Sequence, residues 1–276
     1  MPGRHGFGCA VTICTNAIPR ETYGGYLSES AVVCFNHIHM AMVDIHSHIL
    51  PNVDDGSNSW ETTEAMCRIA FEDGIRHMVA TPHANFDYYY DRDGHQALLE
   101  ELRARMPEMQ FSLGCDFHLS YDNIEDALKH PRKYTIGHTR YLLVEFSDYG
   151  ISRQMPEVLY SLHLAGMRTI ITHPERNVVM QRDPEIVKSM AEMGCIIQIT
   201  ANSLTGFWGK VPRKLCESFL KQGIVGVIAS DAHSTKRRVP VLSEACAAAA
   251  KIVGEEKARA MVERIPLAIV KDEPLD

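Results

Sequence analysis

The amino-acid sequence predicts an α/β fold, a parallel barrel of seven strands with helices on its outside. Two observations support this prediction. From residue 43 onward the chain repeats one unit, a short apolar strand followed by an amphipathic helix. A chain of 276 residues with 45% hydrophobic residues is also long enough to bury the core of one large domain.

The first strand, predicted at residues 43–48, carries two histidines on one face. Strand side chains alternate between faces, so His46 and His48 point to the same side, where two imidazoles can share a metal ion. For an isolated pair of this kind, two ordinary half-buried histidines are the alternative. Ser59 is a suitable N-cap for the following helix, which we expect to end near Gly74.

Six further units repeat the same order. The predicted strands are at residues 77–83, 110–117, 141–146, 167–173, 195–200 and 224–230. The predicted helices are at residues 94–105, 123–129, 156–165, 184–193 and 212–222, with two more at 239–253 and 255–262. Strands joined by helical crossovers form a parallel sheet, and we expect these seven to close into a barrel.

Residues 1–40 differ from the rest of the chain. They have no sustained hydrophobic period and too few basic residues for a signal peptide, so we expect a disordered or loosely attached N-terminal arm. Cys14 and Arg20 have the spacing of a cysteine-phosphatase loop, but Pro19 removes an amide that such a loop would use. We therefore expect one functional domain at residues 41–276.

The composition disfavours several classes of partner. The net charge is -7 and the pI is near 6.0, and no block of Lys and Arg offers the basic surface that nucleic acids or anionic membranes require. No apolar run approaches the ~20 residues of a membrane span. Eight widely spaced cysteines without a Cys-x-x-Cys pair indicate reduced thiols and a cytoplasmic protein.

Ligand-type side chains stand at the ends of six of the seven predicted strands. In a parallel barrel these ends meet at one mouth. Glu145 is especially informative, because it interrupts an apolar strand and an unpaired buried carboxylate is costly. A buried ion pair with an arginine is the alternative for this residue. With Asp55 from the loop after the first strand, the candidates are His46, His48, His83, His173, His233, Asp55, Asp116, Glu145 and Asp231.

Five histidines and four carboxylates exceed what one metal ion uses, so we expect two or three ions bridged by a carboxylate. Imidazole and carboxylate ligands without thiolate suit Mn, Fe or Zn and do not select among them. Three divalent ions would outweigh the charge of the four carboxylates. The site would therefore favour an anion such as a phosphate ester.

Seven motifs are ordered along the whole domain. They are Asp44-Ile-His-Ser-His, Asp54-Asp55-Gly56, Thr81-Pro82-His83, Leu143-Val144-Glu145-Phe146, Thr172-His173-Pro174-Glu175-Arg176-Asn177, Thr200-Ala201-Asn202-Ser203-Leu204-Thr205-Gly206 and Ser230-Asp231-Ala232-His233. With these motifs the chain, from Met42 to the C-terminus, resembles the polymerase and histidinol phosphatase (PHP) superfamily, and within it the bacterial capsule and exopolysaccharide tyrosine-protein phosphatases of the CpsB, CapC and YwqE type. This resemblance implies a distorted seven-stranded (β/α)7 barrel, a trinuclear centre often supplied with manganese, and hydrolysis of phosphotyrosine on the tyrosine autokinases that control polysaccharide export.

The resemblance also distributes the ligands among three ions. Asp116 would bridge, although it stands where the family usually has the longer glutamate, and His118 on the same face is an alternative contributor. Asp54 stays an alternative to Asp55, because periodicity does not separate adjacent loop residues. The implied sets are His46, His48, Asp116 and Asp231 for one ion, Asp55, His83 and His233 for a second, and Glu145 and His173 for the third.

Two arginines, Arg176 and Arg238, match positions at which the family binds phosphate. A guanidinium can take two phosphate oxygens and offset charge in the transition state. For Arg238, next to Lys236 and Arg237, a solvated surface charge is the alternative. We expect a hydroxide activated by the metal ions to act as the nucleophile, without a covalent cysteine.

Aromatic side chains also stand in loops at the mouth. Tyr88, Tyr89 and Tyr90 follow His83, and Trp208 follows the sixth predicted strand. They would either wall a flat aromatic substrate or pack against neighbouring loops, and the sequence does not decide between these roles.

Three rival functions fit parts of the pattern. A histidinol-phosphatase-like enzyme acting on small phosphomonoesters would use the same centre, but the Asp-Asp-Gly loop and the spacing from Asp231 to Arg238 favour the tyrosine phosphatase. A metal-dependent nuclease conflicts with the acidic net charge. A scaffold with a structural metal would be expected to have lost ligands, and here the full set is present.

Overall fold

A computed structural model describes residues 41–275, which form alternating strands and helices. The N-terminal arm expected at residues 1–40, including Cys14 and Arg20, lies outside the described residues. The strands are β1 (Met42–Ser47), β2 (Ile75–Ala80), β3 (His83–Ala84), β4 (Gln110–Leu113), β5 (Asp116–His118), β6 (Tyr141–Glu145), β7 (Arg168–Thr172), β8 (Ile196–Thr200) and β9 (Val225–Ala229). The helices are α1 (Trp60–Asp73), α2 (Arg92–Arg105), α3 (Tyr121–Lys129), α4 (Met155–Leu164), α5 (Val178–Arg182), α6 (Glu185–Glu192), α7 (Ala201–Leu204), α8 (Lys210–Gln222), α9 (Ser243–Val253), α10 (Glu255–Ala260) and α11 (Arg264–Val270), with a 3₁₀ turn at Ile136–His138.

The strands form two parallel sheets. Their orders are β1-β2-β4 and β3-β5-β6-β7-β8-β9, and every strand pair is parallel. The predicted parallel α/β architecture is therefore confirmed. The expected single closed sheet of seven strands is not found in the strand pairing of the described residues.

Two of the predicted strands are each divided into two. The second is broken before Pro82 to give β2 and β3, and the third is broken at Gly114 to give β4 and β5. Proline has no N–H for a strand ladder. Across the breaks, the Gly114 N–H donates to the carbonyl of Ala80 at 2.8 Å and the Asp116 N–H to that of Pro82 at 3.2 Å. The two divided strands therefore stay side by side while they leave one sheet and join the other.

The helices mostly follow the prediction. At α1, the Ser59 side chain accepts a hydrogen bond from the Thr62 N–H at 3.2 Å, and Gly74 ends the helix with a left-handed φ of 100°. Helix α9 starts at Ser243, later than predicted, because Pro240 disfavours helical conformation just before it. Helix α11 is not among the predicted elements. None of the helices in the described part of the chain is long and apolar enough to cross a membrane.

The apolar core has two parts. The larger joins side chains of α1 to α10 to one face of the strands. The smaller lies between the strands themselves, where the 3₁₀ turn and α11 add one residue each, and it consists of Val43, Ile45, Val79, Ile136, Tyr141, Leu143, Ile170, Val227, Ala229 and Ile269. We call this smaller part the inner cluster.

A β-bulge in β1 changes which side chains face inward. Between the pairs Asp44–Met78 and Ser47–Ala80, β1 advances three residues while β2 advances two. The extra residue reverses the alternation of faces. Val43 and Ile45 therefore join the inner cluster, whereas His46 and His48 belong to the groups of candidate ligands.

Candidate metal centre

The candidate ligands lie together at the carboxyl ends of the strands. All nine belong to four overlapping groups, in each of which one ligand atom per residue lies within 4.8 Å of the others. Strands from both sheets contribute, so the parallel topology assembles the cluster from distant parts of the sequence. The groups are His48, Asp55, His83 and His233; His46, His48 and Asp231; His46, Asp116 and His173; and His83, Asp116 and Glu145.

The groups overlap through shared residues. His46, His48, His83 and Asp116 each belong to two of them. Asp116 is the one carboxylate among these four shared residues, although its side chain is shorter than that of glutamate. His118 is in none of the groups formed by residues 41–275, so the geometry does not support it as a contributor.

His46 is fully buried between two carboxylates. Its Nε2 lies 3.5 Å from Asp116 Oδ2 and 3.4 Å from Asp231 Oδ1. Burial alone would lower the pKa of His46, but these carboxylates raise it to about 9. Its other nitrogen, Nδ1, lies 2.9 Å from Oε1 of Gln198. A partner of this kind fixes the ring and leaves Nε2 directed at a metal ion.

Asp54 and Asp55 take different positions. The side chain of Asp54 is buried and accepts hydrogen bonds from Nδ1 of His48 at 2.7 Å and from the His83 N–H at 3.2 Å. Burial raises its pKa, but His48 outweighs this and lowers it to about 2. Asp55 Oδ1 instead lies 3.4 Å from His83 Nε2 and 3.3 Å from His233 Nε2. Asp55 thus faces the cluster, and Asp54 orients His48.

Glu145 lies between two histidines. Its Oε2 is 3.6 Å from His83 Nδ1, and its Oε1 is 3.7 Å from His173 Nε2. Burial and the charge of Asp116 raise the pKa of Glu145 to about 7. None of the arginines among the described residues forms a salt bridge with it, so the alternative of a buried ion pair with arginine is wrong.

Two of these residues have a left-handed backbone. His173, directly after β7, has a φ of 33°, and Asp231, two residues after the end of β9, has a φ of 52°. For residues other than glycine this conformation costs roughly 1–3 kcal/mol, and it is concentrated at functional sites. Both residues belong to the groups of candidate ligands.

Both candidate arginines contact Asp231. Arg176 Nη1 and Arg238 Nη2 each donate to Oδ2 of this aspartate. Their side chains are 22% and 19% exposed, so Arg238 is not a solvated surface charge. The other oxygen of Asp231 faces His46 and His48. Asp231 therefore connects the histidine cluster to a pair of guanidinium groups.

The residues fit divalent metal ions. Buried polar atoms normally have hydrogen-bond partners. Four buried ligand atoms have none among the described residues, namely His83 Nδ1, Asp116 Oδ2, Asp231 Oδ1 and His233 Nε2. Each of them belongs to a residue of the groups described above, so metal coordination would satisfy atoms that the protein leaves unpaired.

Residues 42–271 match the family model described as capsular polysaccharide synthesis, CpsB/CapC. The chain belongs to this family. Tyrosine-protein phosphatase YwqE of Bacillus subtilis is 30% identical to it over 233 residues, which cover 83% of this chain and 91% of the relative. Tyrosine-protein phosphatase CpsB of Streptococcus pneumoniae is 28% identical over 242 residues, which cover 84% and 99%.

Solved structures agree with this membership. A chain from the crystal structures of YwqE from Bacillus subtilis and CpsB from Streptococcus pneumoniae, described there as metal-dependent tyrosine phosphatases, superposes with a TM-score of 0.77 at 29% identity. The match covers 85% of this CpsB/CapC chain and 96% of that one. Histidinol phosphate phosphatase from Lactococcus lactis has a TM-score of 0.52 at 13% identity, covering 79% and 93%, which shows a shared fold alone.

The residues that support this CpsB/CapC site include three to which the sequence assigned no role, although Asp44 and Glu175 stand in the motifs of the family resemblance. Gln198 holds His46, and its signal was present in the sequence, since it interrupts an apolar strand. Asp44 is fully buried and accepts hydrogen bonds from the N–H and hydroxyl of Ser230, which fastens β1 to the end of β9. Glu175 is also fully buried, and its Oε1 accepts from the Thr200 N–H at 3.0 Å.

The three loop tyrosines have three different environments. The Tyr88 ring stacks on His83 with 5.9 Å between centroids. Tyr89 is 82% exposed. Tyr90 is buried and its hydroxyl donates to the carbonyl of Gly114 at 3.0 Å. Only Tyr88 is therefore placed to contact a molecule bound at the centre.

Proposed function

We propose that this CpsB/CapC family protein is a metal-dependent protein-tyrosine phosphatase. Its substrate would be a phosphotyrosine protein, a bacterial tyrosine autokinase, and its role the regulation of capsule or exopolysaccharide synthesis and export. The observation that carries the proposal is the cluster of histidines and carboxylates with two partly buried arginines at its edge. The relatives named as tyrosine-protein phosphatases support the same reaction.

We assign this activity to residues 41–276 of a cytoplasmic enzyme, and we propose that three divalent ions bind there, manganese first, with iron or zinc as alternatives. The nine clustered side chains would hold them, with Asp116 as the bridge. The donor set of imidazoles and carboxylates suits these metals. Counting each divided strand once also gives seven strands, so we infer that the two sheets work as one distorted PHP barrel around the ions.

The chain's own groups bind and orient the phosphoryl group. Bound divalent ions would acidify a water molecule and offset negative charge on the phosphoryl oxygens. Arg176 and Arg238 would turn from Asp231 to the phosphoryl oxygens, where planar donors match the developing charge. Gln198 and Asp54 would hold His46 and His48 with Nε2 directed inward. The tyrosyl oxygen needs little protonation to leave, because its pKa is only about 10.

Hydrolysis of a phosphotyrosine peptide tests this proposal. Chelator-stripped protein would be assayed with and without manganese, beside a phosphoserine peptide and histidinol phosphate. We expect metal-dependent activity that prefers phosphotyrosine, is lost in His173→Ala and survives in Cys14→Ser. Preference for histidinol phosphate would move the protein to the small-molecule branch, and loss of activity in Cys14→Ser would contradict the metal mechanism.

A further inference from the structure

Two adjacent aromatic residues stand between α7 and α8, beside the candidate arginines. Phe207 and Trp208 meet edge to face, with 5.2 Å between ring centroids. Gly206 and Gly209 flank them with left-handed φ values of 95° and 91°, a conformation that glycine adopts without strain. Both rings remain partly exposed, Phe207 at 43% and Trp208 at 37%.

Trp208 forms a common surface for both arginines. The Cζ of Arg176 lies 4.4 Å from the Trp208 ring centroid, and that of Arg238 lies 5.8 Å from it. Among residues 41–275, the arginine over the face of Phe207 is Arg237, whose Cζ lies 5.8 Å from the ring centroid. The Trp208 indole therefore contacts Arg176 and Arg238, the two arginines that bind Asp231. The neighbouring Arg237 lies instead over the Phe207 ring.

The same indole lines a cavity of about 270 Å³. Glu145, His173 and Arg176 also line it, so the cavity opens directly onto the candidate centre. An indole face attracts a guanidinium through its quadrupole and restricts it to a plane parallel to the ring. An arginine restricted in this way loses less conformational freedom when it takes a phosphate oxygen.

We propose that Trp208 is a positioning residue, whose ring holds Arg176 and Arg238 in the orientation that receives the phosphoryl group. The proposal rests on the proposed function only in its use of these arginines as phosphate ligands. Trp208 would act through them, contributing to catalysis by keeping both guanidinium planes aligned when they move from Asp231 to the substrate.

The chain contains a matched control for this arrangement. Trp60, in α1, is the only other tryptophan in the sequence, and Arg105 lies 4.4 Å over its ring. This pair has the same spacing as Trp208 and Arg176, and it belongs to none of the candidate ligand groups. Trp60→Phe therefore leaves Trp208 as the single fluorescent tryptophan.

Fluorescence provides a test that does not depend on turnover. Manganese-loaded Trp60→Phe protein would be titrated with inorganic phosphate, with binding measured in parallel by calorimetry. We expect a saturable change in Trp208 emission that Trp208→Phe protein, which keeps Trp60, does not show. Phosphate binding without any change in Trp208 emission would overturn the inference alone. Absence of phosphate binding would overturn the proposed function together with it.

Kinetics separate positioning from general stability. We expect Trp208→Leu to lower kcat on a phosphotyrosine peptide by on the order of tenfold, with KM changed by less than about threefold. Trp208→Phe, which keeps an aromatic face, should recover most of the loss, and Trp60→Leu should leave kcat unchanged. Equal losses in the leucine and phenylalanine variants, or an unchanged kcat in Trp208→Leu, would contradict the proposal.

Discussion

Asp54 and Asp55 are neighbours in one loop, yet their carboxylates face different groups. Asp54 contacts the ring nitrogen of His48 that points away from the cluster, whereas Asp55 approaches His83 and His233 at their Nε2 atoms. One residue therefore orients a ligand and the other is placed as a ligand. Their removal should have different consequences for metal content.

We expect Asp55→Asn to lower the metal bound per chain more than Asp54→Asn does. The first change removes a charged oxygen from the cluster, and the second only weakens the support of His48, typically a loss of about 10–100-fold in affinity. Elemental analysis after dialysis against a low concentration of manganese would measure this. Asp87→Asn, in an exposed loop, is the matched control and should retain full metal content. A larger loss in Asp54→Asn would reverse the assignment.

His77 predicts a pH dependence of stability that is independent of the metal centre. Burial lowers its pKa from 6.5 to about 4, with a smaller contribution from the charge of Arg103, and its Nε2 lies 2.8 Å from the Ser112 hydroxyl. In the unfolded chain the pKa returns to about 6.5. Between these values the unfolded state binds more protons, so His77 should reduce stability as the pH falls from about 6.5 toward 4.

Replacement of His77 by glutamine should remove this dependence. We expect the wild-type protein to lose up to about 2 kcal/mol more unfolding free energy than His77→Gln between pH 7.5 and pH 5.0. Urea unfolding of both proteins, after a chelator has removed any bound metal, would measure the difference. The histidines of the candidate centre then contribute equally to the pH dependence of both unfolding free energies. Identical losses in the two proteins would contradict the assignment of a neutral, half-buried His77.

The types of residue at strand ends predicted the candidate ligands, but they did not predict the residues that support them. A histidine or carboxylate after an apolar strand is visible in the sequence. The contact of Gln198 with His46 joins residues on the first and eighth strands, so it depends on which strands become close in three dimensions. The candidate ligands can be predicted from the local sequence pattern. The residues that hydrogen-bond to those ligands can be identified only from the tertiary structure.

The loop between β1 and α1 depends on the absence of a side chain at Gly56. A Cβ there would lie 2.2 Å from the carbonyl oxygen of His48 and 2.4 Å from its Cβ. The backbone of the loop therefore packs directly against a candidate ligand. This close approach explains why glycine follows the two aspartates, although its φ is not left-handed.

We expect Gly56→Ala to displace the loop and lower both stability and metal binding. Overpacking of this kind typically costs about 1–3 kcal/mol, and Asp55 would move with the backbone. Thermal unfolding and metal content would be measured together. Gly150→Ala is a suitable control, because nothing lies within 4 Å of the added methyl group. Wild-type metal content in Gly56→Ala would show that the loop can adjust.

The divided strands and the β-bulge are features of the secondary structure that the hydrophobic pattern of the sequence did not predict. Hydrophobic runs located every long strand and most helices, because burial imposes a period on the sequence. Register between strands is set by partners that are distant in sequence. The extra residue in β1, and the transfer of two divided strands between sheets, therefore lie beyond a period-based prediction.

At the scale of the whole molecule, the first and last strands are fastened by a buried polar pair. Asp44 accepts from the Ser230 N–H at 3.0 Å and from its hydroxyl, while the Asp231 N–H donates to the His46 carbonyl at 2.9 Å. Burial raises the pKa of Asp44 to about 6 despite the opposing hydrogen bonds with Ser230. These contacts join β1, the first strand, to the residues that directly follow β9, the last strand.

A double-mutant cycle on Asp44 and Ser230 should measure this connection. We expect Asp44→Asn and Ser230→Ala each to destabilise the protein by about 1–3 kcal/mol, and the double variant to be less destabilised than their sum. Urea unfolding near neutral pH gives the three free energies. Ser243→Ala paired with Asp44→Asn is the control, since Ser243 forms its hydrogen bonds with Asp73 and not with Asp44, so the two effects should be additive. Additive effects for Asp44 and Ser230 would show that the pair is not coupled.

The candidate ligands come from both the N-terminal and the C-terminal parts of the described chain, so the ribosome makes them at different times. At roughly 5–20 residues per second, a ribosome makes His46 and His48 about ten to forty seconds before Asp231 and His233. A nascent chain therefore exposes one histidine pair long before the remaining ligands exist. We therefore expect the candidate centre to become complete only late in synthesis, because a chain that ends before Asp231 lacks two of the nine candidate ligands.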